Sequence, residues 1–282
     1  MTNKPLILVD TSYTSFYRFF ATMRWYSFSY PDEYKEYKND SSYDWNTNKI
    51  FVEKYEKMYL DSIILLVGKK TFNESNIIFC MDTPKKDLWR TELYCDYKGD
   101  RADLSKKHDF KNVFDYTYDT IIPNIIMKYK NVFKLRVAKI EGDDVIAIIS
   151  LHLKETNKDN MITIISGDND FLQLGRPNVN FINYKKKELV NITEEKAKQA
   201  LIEKIVMGDM SDCIPSIFKA RSRINKKDII ASKEKLDEYL NSNEEAMKQY
   251  MLNETIIDFN NIPKKYYKKV VKEYMKLFDI KV

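Results

Sequence analysis

Short apolar runs alternate with longer amphipathic stretches along the 282 residues of the chain. PLILVD (5–10) is an apolar run closed by Asp10. NIIFCMD (76–82) repeats the pattern and closes on Asp82. KLRVAKIEGDD (134–144) and MITIISGDND (161–170) repeat it again, the first ending in Glu141, Asp143 and Asp144, the second in Asp168 and Asp170. Brief runs rich in Ile, Leu and Val suit strands buried on both faces. Helical spacing fills the intervals, notably 48–70 and 142–155. Strands alternating with helices predict an α/β fold, with a mostly parallel sheet covered by helices on both faces.

Residues 83–130 break this rhythm. They are polar, rich in Lys, Tyr and Asp, and long for a crossover between the second and third strands. From about 186 the strand signals fade. TEEKAKQALIEKIVMGD starts with a capping-box pattern at Thr193, and IPKKYYKKVVKEYMKLF (262–278) starts with Pro263, so both read as helices. The expected organisation is therefore an α/β domain over 1–185 and a helical region over 186–282.

Composition changes this picture little. Lys+Arg minus Asp+Glu is 47 − 42 = +5, a mild basic excess whose placement matters more than its sum. Cys80, Cys95 and Cys213 form no CxxC, and only His108 and His152 accompany them, which argues against zinc. The opening MTNKPLILVD has too short an apolar run for a signal peptide. No stretch approaches a membrane span. The expectation is a soluble cytoplasmic protein.

The acids carry the chemistry. Ligands of open α/β sheets bind at the carboxyl ends of the strands, and each of the four runs ends there in an acid. Asp209 and Asp212 in GDMSD add a pair at i,i+3 spacing, on one face of a helical turn. Taken singly, each group has an ordinary reading: a helix cap, a favourable charge at a helix N-terminus, an Asx turn or a solvated turn. Together, nine carboxylates at one sheet edge would repel unless hard cations sat among them. Mg²⁺ and Mn²⁺ take such oxygen ligands. A pair of these ions about 3.5–4 Å apart serves phosphodiester cleavage.

At these residues the chain resembles the 5′ nuclease family of flap endonucleases and the 5′-nuclease domains of bacterial DNA polymerases, most of all its T-even phage ribonuclease H branch. LILVDTS, IIFCMDTPKKDLWRTELYCDYKGDR, KIEGDDVIAII, IISGDNDFLQL, GDMSDCIPSI and IIDFNNIPKKY follow the family's order. The resemblance implies a three-layer PIN-like fold with a helical arch in the 83–130 region and a helix-hairpin-helix-like C-terminal region. It implies one Mg²⁺ among Asp10, Asp82, Asp144 and Asp168, assisted by Glu141 and Asp143, and a second near Asp170, Asp209 and Asp212. Lys98 and Arg101, at the arch base, would hold the scissile phosphate, with Asp144 as the central catalytic acid. The chain departs from the family in having no glycine after Gly208, where a glycine-rich hairpin is usual.

Arg90, Tyr94, Tyr97, Lys106 and Lys107 of the arch region, with Trp89, combine cations and rings as single-stranded nucleic acid prefers, although each ring alone equally suits helix packing. Lys219, Arg221, Arg223, Lys226 and Lys227 offer charge for a duplex backbone. The resulting expectation is a monomeric two-metal 5′→3′ exonuclease or flap endonuclease. Its substrates would be RNA–DNA and DNA–DNA duplexes with 5′ ends, nicks, flaps or forks, and its role primer removal in phage or viral replication. Family likeness adds a single-strand-binding protein and a sliding clamp as partners. The alternatives are a PIN-type RNA endonuclease and a non-catalytic structure-specific DNA-binding protein.

Overall fold

The computed structural model describes residues 4–40, 42–84, 87–99, 110–185, 190–219 and 224–279. The first apolar run forms β1 (Leu6–Asp10) and passes without a loop into α1 (Thr11–Ser29). Asp10 makes that possible, because its Oδ1 caps the helix by accepting from Tyr13 N at 2.9 Å. Next come α2 (Pro31–Tyr37), α3 (Lys49–Val67), α4 (Lys69–Glu74) and β2 (Asn76–Cys80). The excursion contains α5 (Trp89–Leu93), α6 (Phe110–Tyr116) and α7 (Ile122–Lys128) before β3 (Val132–Leu135). Then α8 (Gly142–Thr156), β4 (Ile162–Ile165) and β5 (Val179–Ile182) follow. The chain continues through α9 (Glu194–Met207), α10 (Lys226–Ala231), α11 (Lys233–Ser242), α12 (Glu244–Ile257) and α13 (Lys264–Lys276).

All four strand pairings are parallel, in the order β3-β2-β1-β4-β5. Side chains alternate across β1. Leu6 and Leu8 join Ile78, Ile164 and the buried face of α8 on one side. Ile7 and Val9 join Phe79, Tyr55, Tyr59 and Phe19 of α3 and α1 on the other. The result is the expected three-layer arrangement. The fifth strand, β5, was not among the four expected, since VNFI is short and ends in no acid.

The chain steps outward from β1 to β2 to β3, then crosses back to place β4 on the free side of β1. The change of direction leaves a crevice above β1 and β4, the usual ligand position in such sheets. Asp10 and Asp168 flank it.

Helices α9 to α12 share a smaller core of Val206, Phe218, Ile229, Leu236 and Leu240. At the end of α9, Gly208 adopts φ 70°, and a Cβ there would lie 2.4 Å from the carbonyl oxygen of Ile214. Only glycine fits this turn into the GDMSD segment. The last helix, α13, packs on α8: Tyr266, Val270 and Tyr274 belong to the core on that face of the sheet, and Tyr274 stands edge-on to Phe278 at 5.4 Å. Tyr274→Ala should therefore weaken the whole sheet domain by about 3 kcal/mol, read as a lower urea midpoint of a probe in the sheet. A change confined to a probe on α9–α12 would contradict this placement.

Candidate active site

Four acids gather at the crevice. Asp10 ends β1, and its Oδ2 accepts from Ser166 Oγ at 2.7 Å while Oδ1 caps α1. Asp82 follows β2 and accepts from Ser12 Oγ and, at 2.6 Å, from Gly142 N. Gly142 can approach so closely because it has no side chain: a Cβ would sit 2.8 Å from the carbonyl oxygen of Cys80 and 3.1 Å from Asp82 Oδ1. Asp143 is on the first turn of α8. Asp168 caps a short 3₁₀ turn (Asn169–Leu174) by accepting from Asp170 N at 2.8 Å.

Burial, and after it their mutual repulsion, shows in the ionisation of three of them. Burial pushes Asp10 up to about 7, against its bonds from Tyr13 and Ser166, and Asp82 and Asp168 push the same way. Burial also raises Asp82, helped by Glu141. Asp143 is raised well above the carboxylate range by burial and then by Asp10. Asp10, Asp82 and Asp143 thus resist holding their charges, which is the condition a divalent cation relieves. The donors are carboxylate oxygens, the set hard ions prefer. Among the described residues, no three His, Cys, Asp or Glu side chains already stand as a ligand set, so binding would draw these carboxylates together.

The neighbouring acids are held differently. Arg90 is 3% exposed and donates from Nη1 to Glu141 and to Asp144, each at 2.9 Å, and from Nε to the carbonyl of Ile256 at 2.9 Å. Trp89 Nε1 donates to the same Asp144 oxygen at 2.9 Å. Tyr97 donates to Glu141 at 2.9 Å, and Lys98 is paired with Glu141 on the other oxygen. Burial opposes charge on Glu141, but Lys98 and then Arg90 outweigh it and hold its carboxyl at about 2. Burial likewise opposes charge on Lys98, yet Glu141 leads a set of groups that raises it well above the usual range. Lys98 also takes a left-handed φ of 56° and donates its N–H to the carbonyl of Asp212 at 2.9 Å.

A third group lies on the far wall. Lys204 of α9 bridges Asp170 and Asp209, with 2.8 Å to the latter. Burial opposes charge on Asp209, but Lys204 and Ser211 hold its carboxyl at about 2. Asp212 is buried in the 3₁₀ turn after Asp209, 3.9 Å from Lys98. Asp10, Asp168, Asp170, Lys204 and Asp209 line one open cavity of about 610 Å³, with Tyr13 at its edge. An acid-lined opening at the carboxyl edge of a parallel sheet is suited to metal-assisted attack on a phosphodiester.

A family model described as the 5′-3′ exonuclease N-terminal resolvase-like domain matches residues 5–204. The chain belongs to this family. Ribonuclease H of Enterobacteria phage T4 is 28% identical over 244 residues, covering 80% of this chain and 78% of the phage protein. A 5′-3′ exonuclease of Buchnera aphidicola is 28% identical over 157 residues, 53% of this chain and 50% of that one. The D15 protein of phage T5, crystallised with metal ions, superposes with a TM-score of 0.63 at 16% identity, covering 97% of this chain and 99% of that one. A T5 D15 flap endonuclease complex with DNA and metal ions gives 0.64 at 15% identity and the same coverage. These superpositions agree with the three-layer 5′ nuclease fold. Among the described residues no helix is long and apolar enough to cross a membrane.

In this family member the expected site residues fall in several different settings. Asp144 does not face the crevice acids. It is fully buried and committed to Arg90 and Trp89, because its place on α8 points it at the α5 side. Asp143, expected only to assist, joins Asp10 and Asp82 instead. Arg90 and Tyr97, expected on nucleic acid, are buried and both donate to Glu141. Tyr94 is half-buried, and its hydroxyl donates to the carbonyl of Cys213 at 3.0 Å. Lys219 is exposed and paired with Glu245 at 2.9 Å, Lys226 rests 5.3 Å from the Phe218 ring, and Lys227 is exposed. Arg101, Lys106, Lys107, Arg221 and Arg223 lie outside the described residues. Lys204 was missed, since a lysine inside an amphipathic helix carries no signal of the loop its tip will reach. Ser166 was legible only as the residue before GDND.

Arg90→Met should cost about 3–5 kcal/mol, because two buried carboxylates would lose their shared cation. It should also change the acid limb of stability. Glu141 is held at about 2 against an ordinary 4.5, so its contribution is full above 4.5 and is lost as pH falls toward 2. Thermal melts from pH 7 to pH 2 should show this loss in the parent and a smaller one in the variant, where Lys98 still pairs with Glu141. Equal acid limbs would contradict the assignment of Arg90.

Proposed function

We propose that the chain is a divalent-metal-dependent 5′ nuclease that removes RNA primers, 5′ DNA ends and flaps from duplexes. The observation that carries the reading is the gathering of Asp10, Asp82, Asp143 and Asp168 at the carboxyl edge of the sheet, beside an open acid-lined cavity. These four would hold one Mg²⁺ or Mn²⁺. Asp170, Asp209 and Asp212 would hold a second, more weakly, because Lys204 already neutralises two of them. A bound ion of this kind activates water at neutral pH and draws charge from the phosphate.

The chain's own groups do the rest. Lys98, beside Asp143 on the arch side, would meet the scissile phosphate as a point charge, and Arg101 would grip it bidentately. Glu141 keeps Lys98 charged and in position. Arg90 keeps Glu141 and Asp144 in place, so that α8 presents Asp143 to the crevice. Residues 1–185 would carry the chemistry. Residues 186–282 would hold the duplex through Lys219, Arg221, Arg223, Lys226 and Lys227. T4 ribonuclease H and bacterial DNA polymerase I among the relatives support a place in replication. A monomer working with a single-strand-binding protein and a sliding clamp fits that place.

The test is a nicked duplex whose downstream strand is 3′-labelled and begins with RNA. Mg²⁺-dependent shortening from the 5′ side, abolished by EDTA, is expected. Tight binding without cleavage in Mg²⁺ or Mn²⁺, on nicked and flapped substrates alike, would favour the DNA-binding alternative.

A further inference from the structure

The basic excess of this protein has an address. Helix α13 carries Lys264, Lys265, Lys268, Lys269, Lys272 and Lys276 against the single acid Glu273, so it alone contributes 6 − 1 = +5. That equals the formal net charge of the whole chain, and the remaining residues balance to zero. All six lysines are exposed, while Tyr266, Val270 and Tyr274 anchor the opposite face to the sheet domain.

Beside α13 runs a cavity of about 490 Å³ along the β3 edge of the sheet. Its floor is apolar, built from Met81, Leu135, Val137 and Leu277. Lys134, Arg136, Lys269 and Lys276 stand around it, against Asp119 and Glu273. Glu273 is already paired with Lys276 at 2.7 Å. Lys134 and Arg136 are exposed. Arg136 lies over the ring of Tyr118, 5.5 Å from its centroid. The Tyr118 hydroxyl in turn lies 3.2 Å from Ser12 Oγ and accepts from Asp82 N at 3.4 Å. One aromatic ring therefore separates this basic groove from the acid crevice.

We infer that the groove between β3 and α13 is a second nucleic-acid site, which takes the sugar–phosphate backbone of the strand leading to or from the crevice. It rests on the nuclease reading for the identity of the polyanion. The chemistry fits a backbone: cations for phosphates along the rim, apolar surface for the sugar faces beneath. It also resolves an electrostatic difficulty. A polyanion approaching an acid-lined crevice is repelled there, and a concentrated positive surface alongside offsets that repulsion before the scissile bond is reached.

The test uses the full chain with the triple variant K134Q/R136Q/K269Q. All three positions are exposed, so an unchanged melting temperature is expected and checks the fold. Binding of a fluorescent nicked duplex is read by anisotropy in EDTA, without turnover, across a salt series. Cleavage in Mg²⁺ is measured separately. Each phosphate contact contributes about 0.9 to the slope of log K against log salt, so the variant should lose roughly 2–3 from that slope and bind at least about ten-fold more weakly at low salt. KM should rise by the same factor, with kcat kept. An unchanged slope and affinity would overturn the inference, including the case in which the lysines serve an acidic protein. Failure of the parent to cleave, with the slope change intact, would instead count against the nuclease reading and leave the groove standing.

Discussion

Like charges crowded at the carboxyl edge of the sheet constrain everything around them. Acids are delivered toward that edge by the end of β1, by the segments after β2, β3 and β4, and by the turn after α9. The fold answers in two ways. Glu141, Asp144 and the Asp170–Asp209 pair receive cations from the protein itself, namely Arg90, Lys98 and Lys204. Asp10 and Asp82 instead receive hydroxyls and backbone amides, which ease the strain without cancelling it. Asp10 and Asp82, held in this second way, are the ones whose carboxyls burial pushes up. This division separates acids bonded to the protein's own cations from acids bonded to its hydroxyls and amides.

The division explains the EGDD segment. Three acids on the first turn of one helix have three different fates. Glu141 turns to Lys98, Arg90 and Tyr97. Asp144, one turn on, turns to Arg90 and Trp89. Asp143, between them, is rotated by about 100° from its neighbour and lies within the electrostatic reach of Asp10, Lys98 and Asp82. Gly142 lets the helix start press against the end of β2, so that its own N–H reaches Asp82. The excursion after β2 is thus tied back to the site, since α5 supplies Trp89 and Arg90 to α8.

Most of the α/β layering was legible because its signals are local. Apolar runs ending in acids marked β1, β2 and β4, and the capping residue Thr193 marked the start of α9. β5 was hidden because four residues after Arg176 and Pro177 give too short a pattern. The set of acids was legible, but not their division of labour. Spacing says that Asp143 and Asp144 differ in direction, not which direction meets the crevice. That depends on Arg90, more than fifty residues earlier in the chain, whose cationic character read equally well as a contact for nucleic acid. The rings of Tyr94 and Tyr97 were ambiguous for the same reason.

Asp143, rather than Asp144, is proposed for the metal-holding set. Calorimetric titration of Mn²⁺ into Asp143→Asn and Asp144→Asn, with a thermal melt of each protein, separates the two. Asp143→Asn should lose the tight Mn²⁺ site and melt at or above the parent temperature, because a strained charge has been removed. Asp144→Asn, once folded, should keep the site and melt lower, because Arg90 has lost a buried partner. Loss of the Mn²⁺ site in Asp144→Asn at unchanged melting temperature, with binding intact in Asp143→Asn, would contradict this assignment.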